Sequence, residues 1–318
     1  MDDNQKSAAV ALLANIEKNL EQLKVIMAGD SYVTEKVIRR QVKIEEQAPT
    51  PKVVLGPVPD YTNNDWPKAV DSDLIVDGKE ETEKQFRATQ VLELIGIPTN
   101  DISVLDFGCG EGHVAHEISQ TASKVVGFDK ERSDSWDDKV ADNLFFLTDD
   151  KIIKQHAPYD LIILYDVIDH MQGDHALTLK RLGQLLSDNG RFFIRTHPWT
   201  ARHGSHLYEK INKAYLHLVV TPDETPDIPW KEIEYTHKIT RPMGAYENWF
   251  KHAGLEIISR DIQHDGVIED FFDDELLNRI IAVTWDGAVD KDTAKKIMAI
   301  QFIDYILENK GPVKVKSP

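Results

Sequence analysis

Val104-Leu105-Asp106-Phe107-Gly108-Cys109-Gly110-Glu111-Gly112 is the stretch on which the reading of this chain turns. The run from Ile102 to Phe107 is apolar except at Ser103 and Asp106, as expected of a strand buried on both faces of a parallel sheet. An amphipathic stretch from Glu111 to Ser119 follows without a gap, so strand, glycine turn and helix are contiguous. Glycines at alternate positions permit left-handed backbone and let the main chain come close to a nucleotide-like ligand. A dinucleotide fingerprint places its third glycine one residue further on, where this chain has His113, so the spacing disfavours NAD.

With an acidic residue followed by G-x-G-x-G after the first strand, Asp106 to Gly112 resembles the first motif of the class I S-adenosylmethionine-dependent methyltransferases. The resemblance implies an α/β fold: a doubly wound, mostly parallel seven-stranded sheet with flanking helices, here over residues 78–286. It implies S-adenosyl-L-methionine as cofactor and a methyl acceptor as partner. The cofactor-binding residues it suggests are Asp106, Gly108, Cys109, Gly110, Gly112, Asp129, Lys130, Asp149, Tyr165 and Asp166. Among them, Asp129 ends the second strand, where a carboxylate can accept hydrogen bonds from both ribose hydroxyls. Asp149 follows the third strand near the adenine, although a helix-capping role suits it and Asp150 equally. Tyr165 and Asp166 follow the fourth strand, beside the methionine part.

Outward from the motif, apolar runs at 102–107, 124–129, 143–148, 159–165 and 190–196 alternate with helical patterns near 111–121 and 174–187, as parallel βαβ units require. Shorter helical pieces are expected at 133–140 and 151–156. Asp188-Asn189-Gly190 reads as a tight turn into the fifth strand. A helix at 242–253, a strand at 254–262, an acidic insertion from His264 to Asp274 and a last apolar strand at 279–285 follow. Residues 287–318 read as an added helix from Asp290 to Asn309, with Ile297, Ile300, Ile303, Tyr305 and Ile306 on one side, and a basic tail. Toward the N-terminus, residues 1–46 carry a helical stripe through Val10, Leu13, Ile16, Leu20, Leu23 and Met27. That stripe suits pairing with another copy of the chain or docking on the protein's own body. Residues 47–77, with Pro49, Pro51, Pro57, Pro59 and Pro67, read as a linker or strap.

Candidate chemistry concentrates after the fourth and fifth strands. The catalytic candidates are His170, which follows the fourth strand, and His197, His203 and His206 in His197-Pro198-Trp199-Thr200-Ala201-Arg202-His203-Gly204-Ser205-His206-Leu207-Tyr208. Imidazole is the usual proton acceptor near neutral pH, and residues 197–240 are expected to form a lid over the acceptor. The lid histidines could instead bond to the backbone or hold a metal. With no cysteine nearby to complete a ligand set, no metal is assigned. Cys109, between cofactor-loop glycines, reads as packing rather than as a nucleophile.

Composition limits the partners. The chain of 318 residues is 41% hydrophobic and 29% charged, enough for a buried core. A net charge of -17 makes nucleic acid an unlikely acceptor and favours a small molecule, such as a sugar or another metabolite, or a protein. The single cysteine excludes an internal disulfide. No apolar run approaches the roughly 20 residues that span a bilayer, so the expected localisation is cytoplasmic or otherwise intracellular, including virion-associated. A second reading makes the chain a structural or assembly protein, for example a virus-particle component, that keeps the fold and is tethered by its N-terminal helix and strap. Homo-oligomers or larger assemblies would form through that helix.

Overall fold

The computed structural model describes residues 55, 57–70, 80–171, 173–205, 207–228, 230, 242–266, 272–285 and 287–310. The expected N-terminal helices, residues 1–46, lie outside the described residues. The described residues, from Leu55 on, belong to one compact unit.

Its centre is a seven-stranded sheet in the order β3-β2-β1-β4-β5-β7-β6. The strands are β1 (Ser103–Phe107), β2 (Lys124–Phe128), β3 (Leu144–Leu147), β4 (Tyr159–Tyr165), β5 (Leu186–Thr196), β6 (Leu255–His264) and β7 (Ile300–Asn309). Strands β1 to β5 pair in parallel, and β7 runs antiparallel to both β5 and β6. The helices are α1 (Glu81–Ile95), α2 (His113–Ser119), α3 (Asp150–Ile153), α4 (His175–Gly183), α5 (Leu216–Val219), α6 (Met243–Ala253), α7 (Asp274–Trp285) and α8 (Lys291–Met298).

Continuous apolar strands are explained by the two cores they feed. Successive side chains of a strand point to opposite faces. Leu105, Val126, Ile162, Leu164 and Ile194 accordingly enter one core, with Leu179 of α4 and Phe250 of α6. Their neighbours Val104, Val125, Leu161, Ile163 and Phe193 enter the other, with Val91 and Ile95 of α1 and Ile118 of α2. The expected doubly wound, mostly parallel architecture is present, with helices on both faces.

The C-terminal part differs from the sequence reading. Residues 279–285 are not a strand but the end of α7, and the seventh strand is β7, which replaces the second half of the helix expected from Asp290 to Asn309, α8 keeping the first half. The β-branched run near Ile280 suggested a strand, yet Leu277, Ile280 and Ile281 have helical spacing and enter a third core. Ile297, Ile300, Ile303 and Ile306 repeat every third residue and mimicked a helix. Because β7 lies inside the sheet, both its faces are covered and the period-two alternation that marks a half-exposed strand is absent. The sheet therefore continues past residue 286. Asp188-Asn189-Gly190, read as a turn, falls inside β5 at a register irregularity against β4.

The third core joins the segment after β5 to the pair α7–α8, through Trp199, Tyr215, Leu218, Leu277 and Met298. Proline-rich residues 57–70 are strapped onto it. The Trp66 indole N–H donates to the Ala214 carbonyl at 2.9 Å, and the Ala214 N–H donates to the Pro67 carbonyl at 2.8 Å. The Asn212 amide bonds both main-chain groups of Val70, at 2.9 and 2.8 Å. Asn212→Ala removes this latch, and one to two half-buried hydrogen bonds suffice for about tenfold in local opening. The expected result is about tenfold faster hydrogen exchange at the Val70 amide, with β1 amides unchanged.

Candidate functional site

The glycine turn after β1 packs tightly. Gly108 and Cys109 N–H groups both donate to the Phe128 carbonyl, at 2.7 and 2.9 Å, which ties the turn to the end of β2. Gly108 has φ +85°, and a Cβ there would sit 2.5 Å from the Val167 side chain after β4. Gly112 has φ +82°, and a Cβ would meet the Phe146 ring at 2.6 Å. Only glycine satisfies both the left-handed backbone and the close approach. The ring of Trp136 stacks on Phe146 at 4.8 Å, and its indole N–H donates to the Gly110 carbonyl at 2.8 Å, so the turn is buttressed from outside.

Asp129 meets the turn from the end of β2: its Oδ2 accepts from the Gly110 N–H at 2.9 Å. Beneath them Asp106 is buried, with Oδ2 unmatched by any hydrogen-bond donor. Burial, reinforced by the nearby Asp129 charge, pushes its carboxyl up to about 7. Burial also raises the Cys109 thiol far above the usual range, so it is no thiolate nucleophile. Gly108, Asp129, Lys130, Asp149, Asp166 and His170 line a cavity of about 670 Å³ at the carboxyl ends of the parallel strands. Asp149 also caps α3, accepting from the Lys151 N–H at 2.9 Å. Cys109, Gly110 and Gly112 shape the turn from behind rather than line that cavity.

A second cavity, of about 890 Å³, lies on the lid side. Tyr165 lines this one and not the first, together with Arg87, Arg195, His197, His203 and Phe302. Its wall holds a buried ion pair: Arg195 Nε and Nη2 donate to Asp304 Oδ1 and Oδ2 at 2.7 and 2.8 Å. The guanidinium is flanked by Phe302 at 4.8 Å and Tyr165 at 5.5 Å. His197 and His203 adjoin, with ring centroids 4.6 Å apart. Burial lowers the His197 imidazole below its usual value, against the raising effect of Asp169. Ala69 and Val70 of the strap complete the wall. His206 is outside the described residues. Among the described residues no three His, Cys, Asp or Glu side chains are grouped to hold a metal ion.

Asp166 and His170 line both cavities. Asp166 has φ +53°, and burial with the neighbouring Asp169 raises its carboxyl to about 7. Residues 80–260 match the protein family described as "Methyltransferase domain". The chain belongs to this family. S-Adenosylmethionine is the cofactor that membership of this family implies, and the residues present fit it: a glycine turn with little side-chain bulk, a half-buried carboxylate at the end of β2, and a buried carboxyl oxygen without a donor.

A curated relative, the ubiquinone biosynthesis O-methyltransferase of Nitrosococcus oceani, is 23% identical over 162 residues, covering 48% of this chain and 63% of that protein. The chain thus spans less than two thirds of that relative's length. Among solved structures, the magnesium protoporphyrin IX methyltransferase of Synechocystis with bound SAH is similar at a TM-score of 0.43 and 15% identity, covering 74% of this chain and 90% of that one. A SAM-dependent methyltransferase of Archaeoglobus fulgidus has a TM-score of 0.44 and 12% identity, covering 71% and 94%.

Three residues of the site escaped the sequence reading. Asp169 stood inside the stretch Val167 to His170, but nothing marked it as buried between histidines. Arg195 carried a signal, a charge within an apolar strand that must find a partner. Its partner Asp304 lay in a segment with helical spacing, so the pair was not legible.

Proposed function

We propose that this chain is an active methyltransferase that moves the methyl group of S-adenosylmethionine to a small-molecule acceptor, a sugar or another hydroxyl-bearing metabolite, entering through the 890 Å³ cavity. The observation that carries this reading is the junction: a glycine-turn cavity and a lid-side cavity meet at Asp166 and His170. The bound cofactor supplies a methyl group on a positively charged sulfur, an electrophile that needs mainly an aligned nucleophile. In this reading Asp129 and Lys130 hold the ribose end, Asp149 stands near the adenine, and Asp166 and the Gly108 turn flank the methionine end. His170, His197 and His203 stand on the acceptor side, where a hydroxyl must lose a proton.

Titration calorimetry of the full chain with S-adenosylhomocysteine and with NAD tests the reading. Micromolar binding of S-adenosylhomocysteine alone supports it; binding of NAD alone, or of neither, sinks it. The two carboxyls raised to about 7 add a pH signature. A cationic ligand favours their ionised forms, so binding releases protons and affinity grows as pH rises toward 7, then levels off. S-Adenosylmethionine is therefore expected to gain affinity between pH 6 and pH 8 by about threefold to tenfold more than S-adenosylhomocysteine, which lacks the sulfonium charge. Parallel titrations at the two pH values check this.

A further inference from the structure

Asp169 is the least exposed charged group near the junction, with no accessible surface. Two histidines approach the same oxygen from different elements. His170 Nε2 and His197 Nδ1 each lie at ion-pair distance, 3.5 Å, from Asp169 Oδ2, longer than a formed hydrogen bond. The histidines differ in setting: the His170 side chain is 42% exposed and lines both cavities, whereas that of His197 is 5% exposed and lines only the lid-side one.

From this geometry we infer that Asp169 is a positioning residue: flanked by His197, it fixes the proton of His170 on Nε2 and directs the His170 Nδ1 lone pair to take a proton from the acceptor. The inference rests on the methyltransferase reading and deepens it by naming which histidine is the base and what aims it.

The physical chain runs outward from the buried carboxylate. A charge taken out of water needs donors. His197 suits the inner place, because burial disfavours its charged form and a neutral imidazole with its proton on Nδ1 can face the carboxylate without a second buried charge. His170 takes the outer place and inherits the opposite tautomer, since the ring nitrogen nearer a carboxylate carries the proton. When the acceptor reacts, its O–H bond breaks, the proton goes to Nδ1 of His170, and the oxygen keeps the electron pair that forms the new bond to carbon. The resulting imidazolium lies beside Asp169, which stabilises it, and its exposed edge can return the proton to water. The other charged groups facing this cluster are Asp166, raised to about 7, and Arg195, whose charge is matched by Asp304; His203 adjoins His197.

Long-range 1H–15N correlation spectra of the full-length protein above pH 8 test the assignment, on wild type and on Asp169→Asn. Wild type is expected to show the proton on Nε2 of His170 and on Nδ1 of His197. Asp169→Asn, which keeps the shape and removes the charge, is expected to give mixed tautomers at both rings while binding S-adenosylhomocysteine within about twofold of wild type. A wild-type His170 protonated on Nδ1, or unchanged tautomers in a variant that still binds, overturns the inference. Should Asp169→Asn fail to fold, the wild-type spectrum alone decides. Failure of wild type to bind S-adenosylhomocysteine would sink the methyltransferase reading separately, because the tautomers are read without any ligand. Diethyl pyrocarbonate mapping adds a positional check: His170 is expected to react in the free protein and to be shielded at least fivefold by S-adenosylhomocysteine. Equal reaction in both would remove His170 from the junction.

Discussion

Asp129→Ala is expected to weaken S-adenosylhomocysteine binding by about a hundredfold or more, with the fold retained. Asp129 follows β2 beside the glycine turn, half-buried, with Oδ2 accepting from the Gly110 N–H at 2.9 Å and Oδ1 from the Glu131 N–H at 3.4 Å, and it lines the 670 Å³ cavity. A carboxylate so placed can accept from two neighbouring hydroxyls at once, and hydrogen bonds to a charged group contribute about 1.5–3 kcal/mol each. Losing two therefore costs about 3–6 kcal/mol of binding, and loosening of the Gly110 turn adds to it. Stability should change little, because Asp129 is not a core residue. The buried Asp106 would be relieved of a neighbouring negative charge and its carboxyl would drop from about 7. Calorimetry with S-adenosylhomocysteine, together with a thermal melt, checks both parts. An affinity within fivefold of wild type would refute the placement of the ribose end; a collapsed melt would show that Asp129 mainly holds the turn.

This half of the molecule was legible because its signals are local. Three glycines at alternate positions need no partner to announce a turn, and Val104-Leu105 or Val125-Val126 feed opposite cores whatever lies beyond. The first five strands and the helices between them follow from such runs. The C-terminal half depends on pairings far along the chain. Whether Ile300 to Asn309 continues a helix or forms a strand is settled by the open place between β5 and β6, not by its own spacing. The same holds at the site. Gly108, Asp129, Lys130, Asp149 and Asp166 could be named from strand ends and do line one cavity, whereas Tyr165 falls in the wall of the other. Asp169 between two histidines and Asp304 against Arg195 come from separate elements, and only the folded chain brings each set together.

Asp304→Ala is expected to give the largest loss of stability, about 3–5 kcal/mol. In the antiparallel pairing of β5 with β7, Arg195 stands opposite Asp304, and both side chains are 8% exposed. The guanidinium is held in a two-pronged bond and lies between Phe302 and Tyr165, so it cannot swing out to water without giving up both ring faces. Alanine at 304 leaves that cation buried with the long Tyr165 hydroxyl contact at 3.4 Å as its remaining side-chain hydrogen bond among the described residues, and also strands the Gln263 amide that donates to Asp304 at 3.2 Å. For a unit of this size the loss corresponds to a fall in Tm on the order of 10 °C. The double variant Arg195→Met with Asp304→Leu separates the causes. Replacing both charges with apolar groups of similar volume removes the stranded cation, so it should recover most of the lost stability. If the single and double variants melt together, the cost lies in strand pairing and not in the unmatched charge. Because Arg195 and Phe302 wall the lid-side cavity, the repaired variant is expected to regain its melt without regaining the shape of that wall. Binding of S-adenosylhomocysteine in the neighbouring cavity should then stay close to wild type while methyl transfer remains low, which divides stability from acceptor handling within one pair of residues.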